Sequence, residues 1–540
     1  MWECTMSERI DEPSAADCER QTAQMGVLRH GYWKDLTSPL LPKDLRTTSP
    51  DLARDLVASE VWKHCDLSSL PSWIRDREAA SRRKHGTFSV RLPWATGGAD
   101  SLQSKFLRFF APRKQVTLHR GACKHANKMI RRLLMGRGQG FLFPTPLEEV
   151  LRQPHERTGL GYPVFSSKPV HLERVNDISR LLLRELTTHR LLSLPFVAVT
   201  RGASAGPFVP ANFRAAFGSP RAVQDLERMI FDPLFARLSL LPQFAAWSSS
   251  RAVEESVTGI LDATDNDFTI FSVDFQNFDA SIPMEVLRHV WEQIRVAFTP
   301  TAHALVTALG NHFMLAGVIT PDGLFEGRTG GIPSGSVMTN LIGSLVNIWV
   351  MHYAAHASPF PFNNNTVKGC VVQGDDGVYL LQRMVPEEVL IEVLASHLGV
   401  VMSPKKSDVA VGEAHFLQNV YKYSYVHSHG YTMAGVRPIM RVLNSMMSYS
   451  SWRPGWSAAM DSLRWRQQME ACVSHPSFSA FAAWYAARDK FGLQRQSDLV
   501  QLAGGVDHVA AALPSTAWNN KPSIRQAQSS AVEAELAKLR

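Results

Sequence analysis

The clearest patterning of apolar and polar positions lies within residues 268–425, where strand-like and helix-like runs alternate with polar residues at the turns between them. Thr269-Ile270-Phe271-Ser272-Val273 is apolar and β-prone, follows a polar cluster, and predicts a buried strand with Asp274 at or near its end. Over residues 284–298 the apolar positions are 286, 287, 290, 291, 294 and 298, with Pro283 in the first turn, which predicts a helix. Two apolar runs flank Gly374-Asp375-Asp376-Gly377 and predict a hairpin over residues 371–381. Gly330-Gly331-Ile332-Pro333-Ser334-Gly335-Ser336 predicts a loop that leads into a helix over residues 337–355. Asn340, Ser344 and Asn347 fall at i, i+4 and i+7 of that helix, one polar stripe on an otherwise apolar cylinder.

The rest of the chain is patterned less sharply. Residues 1–70 mix both charge signs with several prolines and read as an extended or partly helical arm. Residues 75–137 are rich in Arg and Lys, with Trp94, Phe106, Phe109 and Phe110 interleaved. Such a stretch is either a solvated helical face with a few core aromatics or a surface that tracks phosphates. Residues 141–250 alternate short apolar runs with Gly/Pro breaks, and residues 450–502 read as helical. The tail after Leu513 has low hydrophobicity until residues 531–539, which suit one short helix.

Composition narrows the class. With 540 residues the chain exceeds what one core can hold, so two or three lobes are expected. Its net charge of +8 and pI near 9.2 suit a polyanionic partner. Cys4, Cys18, Cys65, Cys123, Cys370 and Cys472 show no metal-ligand spacing, which argues against structural zinc and against a disulfide framework. The first 24 residues lack the apolar centre of a secretory signal. The most hydrophobic stretch, residues 341–355, is shorter than the ~20 residues of a membrane span.

Candidate chemistry rests on three pieces. A carboxylate at the end of a buried strand, Asp274, is either a turn cap or a group in need of a partner. Asp375 and Asp376 are either ordinary turn residues or two crowded carboxylates neutralised by a divalent cation. Oxygen-only ligands in small number suit magnesium, which completes its shell with water and substrate phosphates. The polar stripe is either an internal hydrogen-bond network or the wall of a polar cavity.

In this order and at these separations the pieces resemble the palm of viral RNA-dependent RNA polymerases. Asp274 and Asp279 look like motif A, Ser334-Gly335-Ser336 through Thr339-Asn340 like motif B, and Gly374-Asp375-Asp376 like motif C. Ser403-Pro404-Lys405-Lys406 is similar to motif D, His415-Phe416-Leu417-Gln418 to motif E, and residues 214–221, Arg-Ala-Ala-Phe-Gly-Ser-Pro-Arg, to the fingers motif F. The Ser-Gly-Ser…Thr-Asn pattern, the chain length and Gly435-Val436-Arg437-Pro438 are most like double-stranded RNA viruses of the picobirnavirus kind, with partitiviruses second.

The resemblance implies an α+β right hand of fingers, palm and helical thumb around an RNA channel. The expected division is an arm over residues 1–70 that bridges fingers and thumb, and fingers over 71–262. The palm would span 263–425 with a fingers insertion near 299–330, the thumb 426–512, and the tail 513–540. Nucleotidyl transfer in this family uses two divalent ions, magnesium or manganese, with Asp274 and Asp375 as bridging ligands and Asp376 either an auxiliary ligand or placed near the primer end. Asp279 and Asn340, with Ser334, correspond to the partners of the ribose 2′ hydroxyl. Gly335, Ser336 and Thr339 complete the substrate-binding motif. Arg214, Arg221 and Arg201 are candidates to grip the triphosphate, and Lys405 or Lys406 to protonate pyrophosphate. The implied partners are template and product RNA, nucleoside triphosphates and a viral capsid protein. The enzyme is expected to be a monomer in the virion interior and host cytoplasm. Two other readings compete: a reverse transcriptase, which Asp279 disfavours because those enzymes place an aromatic there, and a non-enzymatic RNA-binding or capsid-associated protein.

Overall fold

In the computed structural model the described residues are 50–83, 101–113, 116–136, 138–153, 159–166, 169–186, 194–201, 214–264, 268–359, 366–382, 386–403, 408–410, 412–427, 430–447, 457–489, 492–493, 499–506, 508–509 and 530–539. The segment with the sharpest patterning supplies the central sheet. Its strands run in the order Val367–Gln373, Asp376–Gln382, Phe268–Val273, Asp408–Ala410, and every neighbouring pair is antiparallel. Side chains alternate between its faces with the period of two that a strand imposes. Phe268, Ile270, Val371, Val378 and Leu380 pack on the side of helix Ser250–Asp262 and the hairpin of residues 413–422. Phe271, Val273, Cys370, Val372, Tyr379 and Leu381 face a larger core. That core holds helix Met284–Ala297, helix Thr339–Ala357 and the basic helix Arg120–Met135.

The basic helix sorts its residues by face. It buries Ala122, Cys123, Ala126, Ile130 and Leu134, while Arg120, Lys124, Lys128, Arg131 and Arg132 are exposed. Its apolar stripe is therefore core and its charges form the solvated face.

A second sheet joins distant parts of the chain. Strands Phe196–Arg201 and Arg214–Gly218 pair antiparallel, and Val318–Thr320 adds to the first of them in parallel, Phe196 opposite Val318. Gly323–Phe325 closes the edge. Residues 318–325 thus pair with residues 196–218 and not with the central sheet. Phe217 sits edge-on to Phe106, Phe109 and Phe196 in the small core beneath this sheet.

The described residues from 439 onward are mainly helical, as the composition of residues 450–502 predicts: Ile439–Met447, Ala458–Met469 and Phe478–Arg488 share one core. Helix Pro50–His64 belongs to that same core through Val57, Ala58 and Val61. The arm boundary expected at residue 70 is displaced, because helix Ser72–Arg83 also docks there. Glu78, fully buried, accepts from the Ile439 and Met440 N–H groups at 2.6 and 2.9 Å. Those are unpaired donors at a helix N-terminus, where a carboxylate is favoured. The tail helix Ser530–Ala537 buries Val532 and Leu536 in this core and pairs Glu533 with Arg466. Among the described residues no helix is long and apolar enough to cross a membrane. Cys65, Cys123, Cys370 and Cys472 are buried free thiols, and Cys4 and Cys18 lie outside the described residues.

Candidate active site

The predicted hairpin forms as a two-residue turn, with Gln373 opposite Asp376 and Gly374 and Asp375 at its tip. Gly374 has φ +62°, a conformation that glycine enters without steric cost and that a hairpin needs at its first turn position. Asp375 is exposed and Asp376 half-buried. On the next strand Val273 pairs with Gly377, so Asp274, one residue on, emerges beside the turn. Its position is fixed from the other side, where Ser403 N–H donates to Asp274 O at 2.8 Å and Gln276 N–H to Val401 O at 2.8 Å.

The three carboxylates feel one another. Burial pushes Asp376 up to about 7, its bond from the Leu417 N–H opposes that rise, and the charges of Asp375 and Asp274 add to it. A cation between them would relieve this repulsion, and the donor set, all carboxylate oxygen, suits a hard divalent ion. Among the described residues no group of three or more His, Cys, Asp or Glu side chains is placed to hold a metal ion by itself. Asp274 and Asp375 would therefore supply part of the coordination, with water and substrate phosphates supplying the rest. Asp376 Oδ2 points elsewhere: it accepts from Leu417 N–H at 2.8 Å. Leu417 and Gln418 turn the neighbouring hairpin with φ of +51° and +68°, and the Arg437 guanidinium holds that turn by donating to Leu417 O and Asn419 Oδ1.

The polar stripe divides between two uses. Ser344 Oγ accepts from Gly374 N–H at 2.8 Å, and Asn347 Nδ2 donates to Gly374 O at 3.0 Å and Asp376 O at 3.3 Å. Asn347 Oδ1 accepts from Tyr379 OH at 2.7 Å. Ser344 and Asn347 are thus an internal network that grips the carboxylate turn from behind. Gly343 lies against the same turn, and a Cβ there would stand in ordinary contact, 3.4 Å from Gly374 Cα. Asn340, one turn earlier, joins that network only through its backbone O, which accepts from Ser344 Oγ at 2.8 Å; its side-chain Oδ1 accepts from Trp247 Nε1–H at 3.0 Å.

The loop of residues 330–336 is held by the segment just before the palm. Phe217 N–H donates to Ser334 Oγ at 3.3 Å, and Gln224 Nε2 to Gly335 O at 3.2 Å. Glu227, on helix Arg221–Leu238 and 1% exposed, accepts from Ser336 Oγ at 2.6 Å and Val337 N–H at 2.9 Å. Burial pushes the Glu227 carboxyl up to about 7, against the pull of those two bonds. Gly335 lies so close to the strand that a Cβ would fall 1.4 Å from Phe217 O. From the other side Arg113 donates to Ala280 O and Ser281 O at 2.6 Å each and to Thr329 Oγ1 at 3.2 Å. Asp279 O accepts from Ile332 N–H at 2.7 Å, so the short helix Phe278–Ser281 and the glycine loop are tied together. The Asp279 carboxylate is exposed on that turn.

Several predicted site residues have other work. Arg221 is corrected as a triphosphate grip: its guanidinium is 6% exposed and donates to Asp225, itself fully buried, at 2.9 Å. The sequence signal was available, because Asp225 stands at i+4 on the same helix. Ser336 and Thr339 also face inward. The Ser336 hydroxyl is engaged by Glu227 and Met338 N–H, and Thr339 Oγ1 donates to Pro333 O and Ser336 O. They shape the loop and do not present hydroxyls to a substrate. Arg201 and Arg214 lie directly opposite one another in register on paired strands, and their side chains lie outside the description. Lys405 and Lys406 fall outside the described residues. Sequence reasoning missed Glu227 and Trp247, which act on partners 109 and 93 residues away and leave no local signature, and it singled out Leu417 only as part of a motif E-like run, not as the N–H donor to Asp376.

A family model of viral RNA-dependent RNA polymerases matches residues 213–485, which include the central sheet, the carboxylate turn and most of the C-terminal helices. The chain belongs to that family, whose reaction is RNA-templated RNA synthesis. An RNA-directed RNA polymerase of Cryptosporidium parvum virus 1 is 32% identical over 89 residues, 16% of this chain and 17% of that protein. A potential RNA-dependent RNA polymerase of human picobirnavirus is 27% identical over 374 residues, 66% of this chain and 67% of that protein. The crystal structure of a human picobirnavirus RNA-dependent RNA polymerase superposes with a TM-score of 0.74 at 18% identity, covering 96% of this chain and 97% of the other. The likeness to the picobirnavirus type expected from the motifs is borne out, and the right-hand α+β fold with it.

Proposed function

We propose that this chain extends RNA on an RNA template by two-metal nucleotidyl transfer, for transcription and replication of a double-stranded RNA genome. One observation carries the reading. The Val273–Gly377 register delivers Asp274 to the tip where Asp375 is exposed, and Asp376 is turned aside onto Leu417. Two magnesium ions held there, or manganese in their place, would stabilise the attacking 3′ oxygen and the leaving pyrophosphate.

The protein's own contribution is placement. Asp274 and Asp375 present carboxylate oxygens from a rigid sheet. Ser344 and Asn347 hold the turn that carries Asp375. Asp279 and Asn340, from the two elements tied at the glycine loop, face the ribose and select for its 2′ hydroxyl. A site built to hydrogen-bond that group rejects an analogue lacking it. Arg201 and Arg214 receive the triphosphate, and Lys405 or Lys406 supplies the proton to pyrophosphate. The same reading has the enzyme work as a monomer beside a capsid protein, in the virion interior and host cytoplasm.

Incorporation of labelled ribonucleotides on single-stranded RNA with magnesium tests this. The parent protein makes RNA, and Asp279→Ala lowers its preference for ribo- over deoxyribonucleotides. Incorporation by Asp274→Ala at the parent's rate would sink the metal assignment.

A further inference from the structure

We infer that Trp247 is a positioning residue for ribose selection, because its indole N–H fixes the Asn340 amide so that the NH2 group is turned to the nucleotide's 2′ position. This rests on the reading of Asp279 and Asn340 given above. An indole nitrogen can only donate, so the Asn340 atom 3.0 Å from Trp247 Nε1 must be the carbonyl oxygen. The amide cannot flip without leaving that donor facing another donor. The ring is itself immobilised. Trp247 ends the Pro242–Trp247 turn, is 4% exposed, stacks on Phe244 at 4.7 Å and lies 5.4 Å from Phe235. Asn340 is half-buried near the start of helix Thr339–Ala357, and among the described residues its amide nitrogen has no hydrogen-bond partner and is not sealed from solvent.

The polarity that results is the one a 2′ hydroxyl needs. An ionised Asp279 carboxylate can only accept, and a hydroxyl has a single proton to give it. If the Asn340 carbonyl also faced the sugar, two acceptors would compete for that proton. With the NH2 group there, the hydroxyl accepts from Asn340 while it donates to Asp279, and both of its hydrogen-bonding roles are filled. A 2′-deoxynucleotide then leaves a donor and an acceptor unpaired, which is costly. Trp247 therefore contributes to discrimination without touching substrate.

The test is the ratio of kcat/KM for a ribonucleotide to that for its 2′-deoxy analogue, on an RNA template with magnesium. Trp247→Phe keeps the stacked ring and deletes only the N–H, and it is expected to lower the ratio by roughly tenfold, mostly through the ribonucleotide. In an Asn340→Ala background the same substitution changes the ratio no further, because its effect passes through that amide. An unchanged or raised ratio in Trp247→Phe, or a full additional loss in the double variant, overturns the inference. A second measurement uses the native protein and so does not depend on the variant's folding. A 2′-fluoro nucleotide accepts but cannot donate, and it is used better than the 2′-deoxy one if NH2 faces the sugar. The reverse order overturns the orientation. If the native protein incorporates no nucleotide on any RNA template, it is the polymerase reading that fails, a result distinct from an active enzyme whose selectivity ignores Trp247.

Discussion

The two ends of one helix are held in different ways. In the middle of Thr339–Ala357, Ser344 and Asn347 bond the backbone of the carboxylate turn, and everything involved belongs to the palm segment. At its N-terminal end the Ser334–Ser336 loop is bonded by Phe217, Gln224 and Glu227, from the strand and helix that precede the palm. The turn that carries Asp375 is thus placed by buried contacts within the palm segment. The Ser334–Ser336 loop is placed by a strand and a helix from outside that segment. If the proposed roles hold, the reacting atoms and the nucleotide's sugar are positioned by two different kinds of neighbour of one helix.

The largest effect separates chemistry from scaffold. Asp375→Asn should lower ribonucleotide incorporation by at least roughly 10³-fold, since an amide replaces a charged metal ligand. Its unfolding midpoint should stay near the parent's, because Asp375 is exposed at the turn tip. Activity above a tenth of the parent's would remove Asp375 from the metal site.

The next variant attacks the turn from behind. Asn347 is fully buried and serves Gly374 O, Asp376 O and Tyr379 OH. Asn347→Leu leaves these groups without that partner, at a cost of about 3 kcal/mol in denaturant unfolding and a drop in kcat beyond it in proportion. A stability loss with kcat intact would mean that Asp375 is held by something else.

These contrasts show which parts of the molecule could be read in advance. The 268–273 strand, the 284–297 helix and the 371–381 hairpin were legible because apolar spacing within ten or fifteen residues decides them. The polar stripe was visible as a stripe, but the network and cavity readings could not be separated. Its partners, Gly374 and Tyr379, lie 27 to 32 residues on and enter only through the tertiary fold. Arg221 misled because a Gly-Ser-Pro-Arg run resembles a phosphate-binding motif, while the i+4 Asp225 that takes up its charge carried the opposite message. The arm boundary at residue 70 failed for a related reason. Glu78 looks like a surface residue of a charged helix until the N-terminus of Ile439–Met447 is placed against it.

The loop end gives a pH-dependent test. Glu227 is wholly buried with its carboxyl raised to about 7 from an ordinary 4.5, so the folded protein keeps a proton that the unfolded chain releases above about 4.5. The stabilising contribution is present in full below pH 4.5 and is lost as pH rises through 7. Glu227→Gln cannot titrate. The parent's stability relative to this variant should fall by about 3 kcal/mol between pH 4.5 and 7.5, measured by urea unfolding. A pH-independent difference would show that the carboxylate is ionised throughout and that its bonds to Ser336 and Val337 outweigh its burial.

The smallest effect sharpens the comparison most. Ser344→Ala removes one acceptor, the hydroxyl that receives Gly374 N–H at 2.8 Å, and leaves Asn347 in place. Gly374 is only half-buried, so its freed N–H can reach water and the stability cost should stay near 1 kcal/mol. The turn then keeps its fold but gains play around Gly374, next to the carboxylate that must be aligned. The expected result is a kcat lowered several-fold with KM for ribonucleotides and the ribo/deoxy ratio unchanged. Glu227→Gln should show the converse split, a shifted ratio at near-constant kcat, because its loop adjoins the sugar and not the metals. If both variants changed the same parameter, the two ends of the helix would be acting as one unit, and the division between a turn held within the palm and a loop held from outside it would have to be given up.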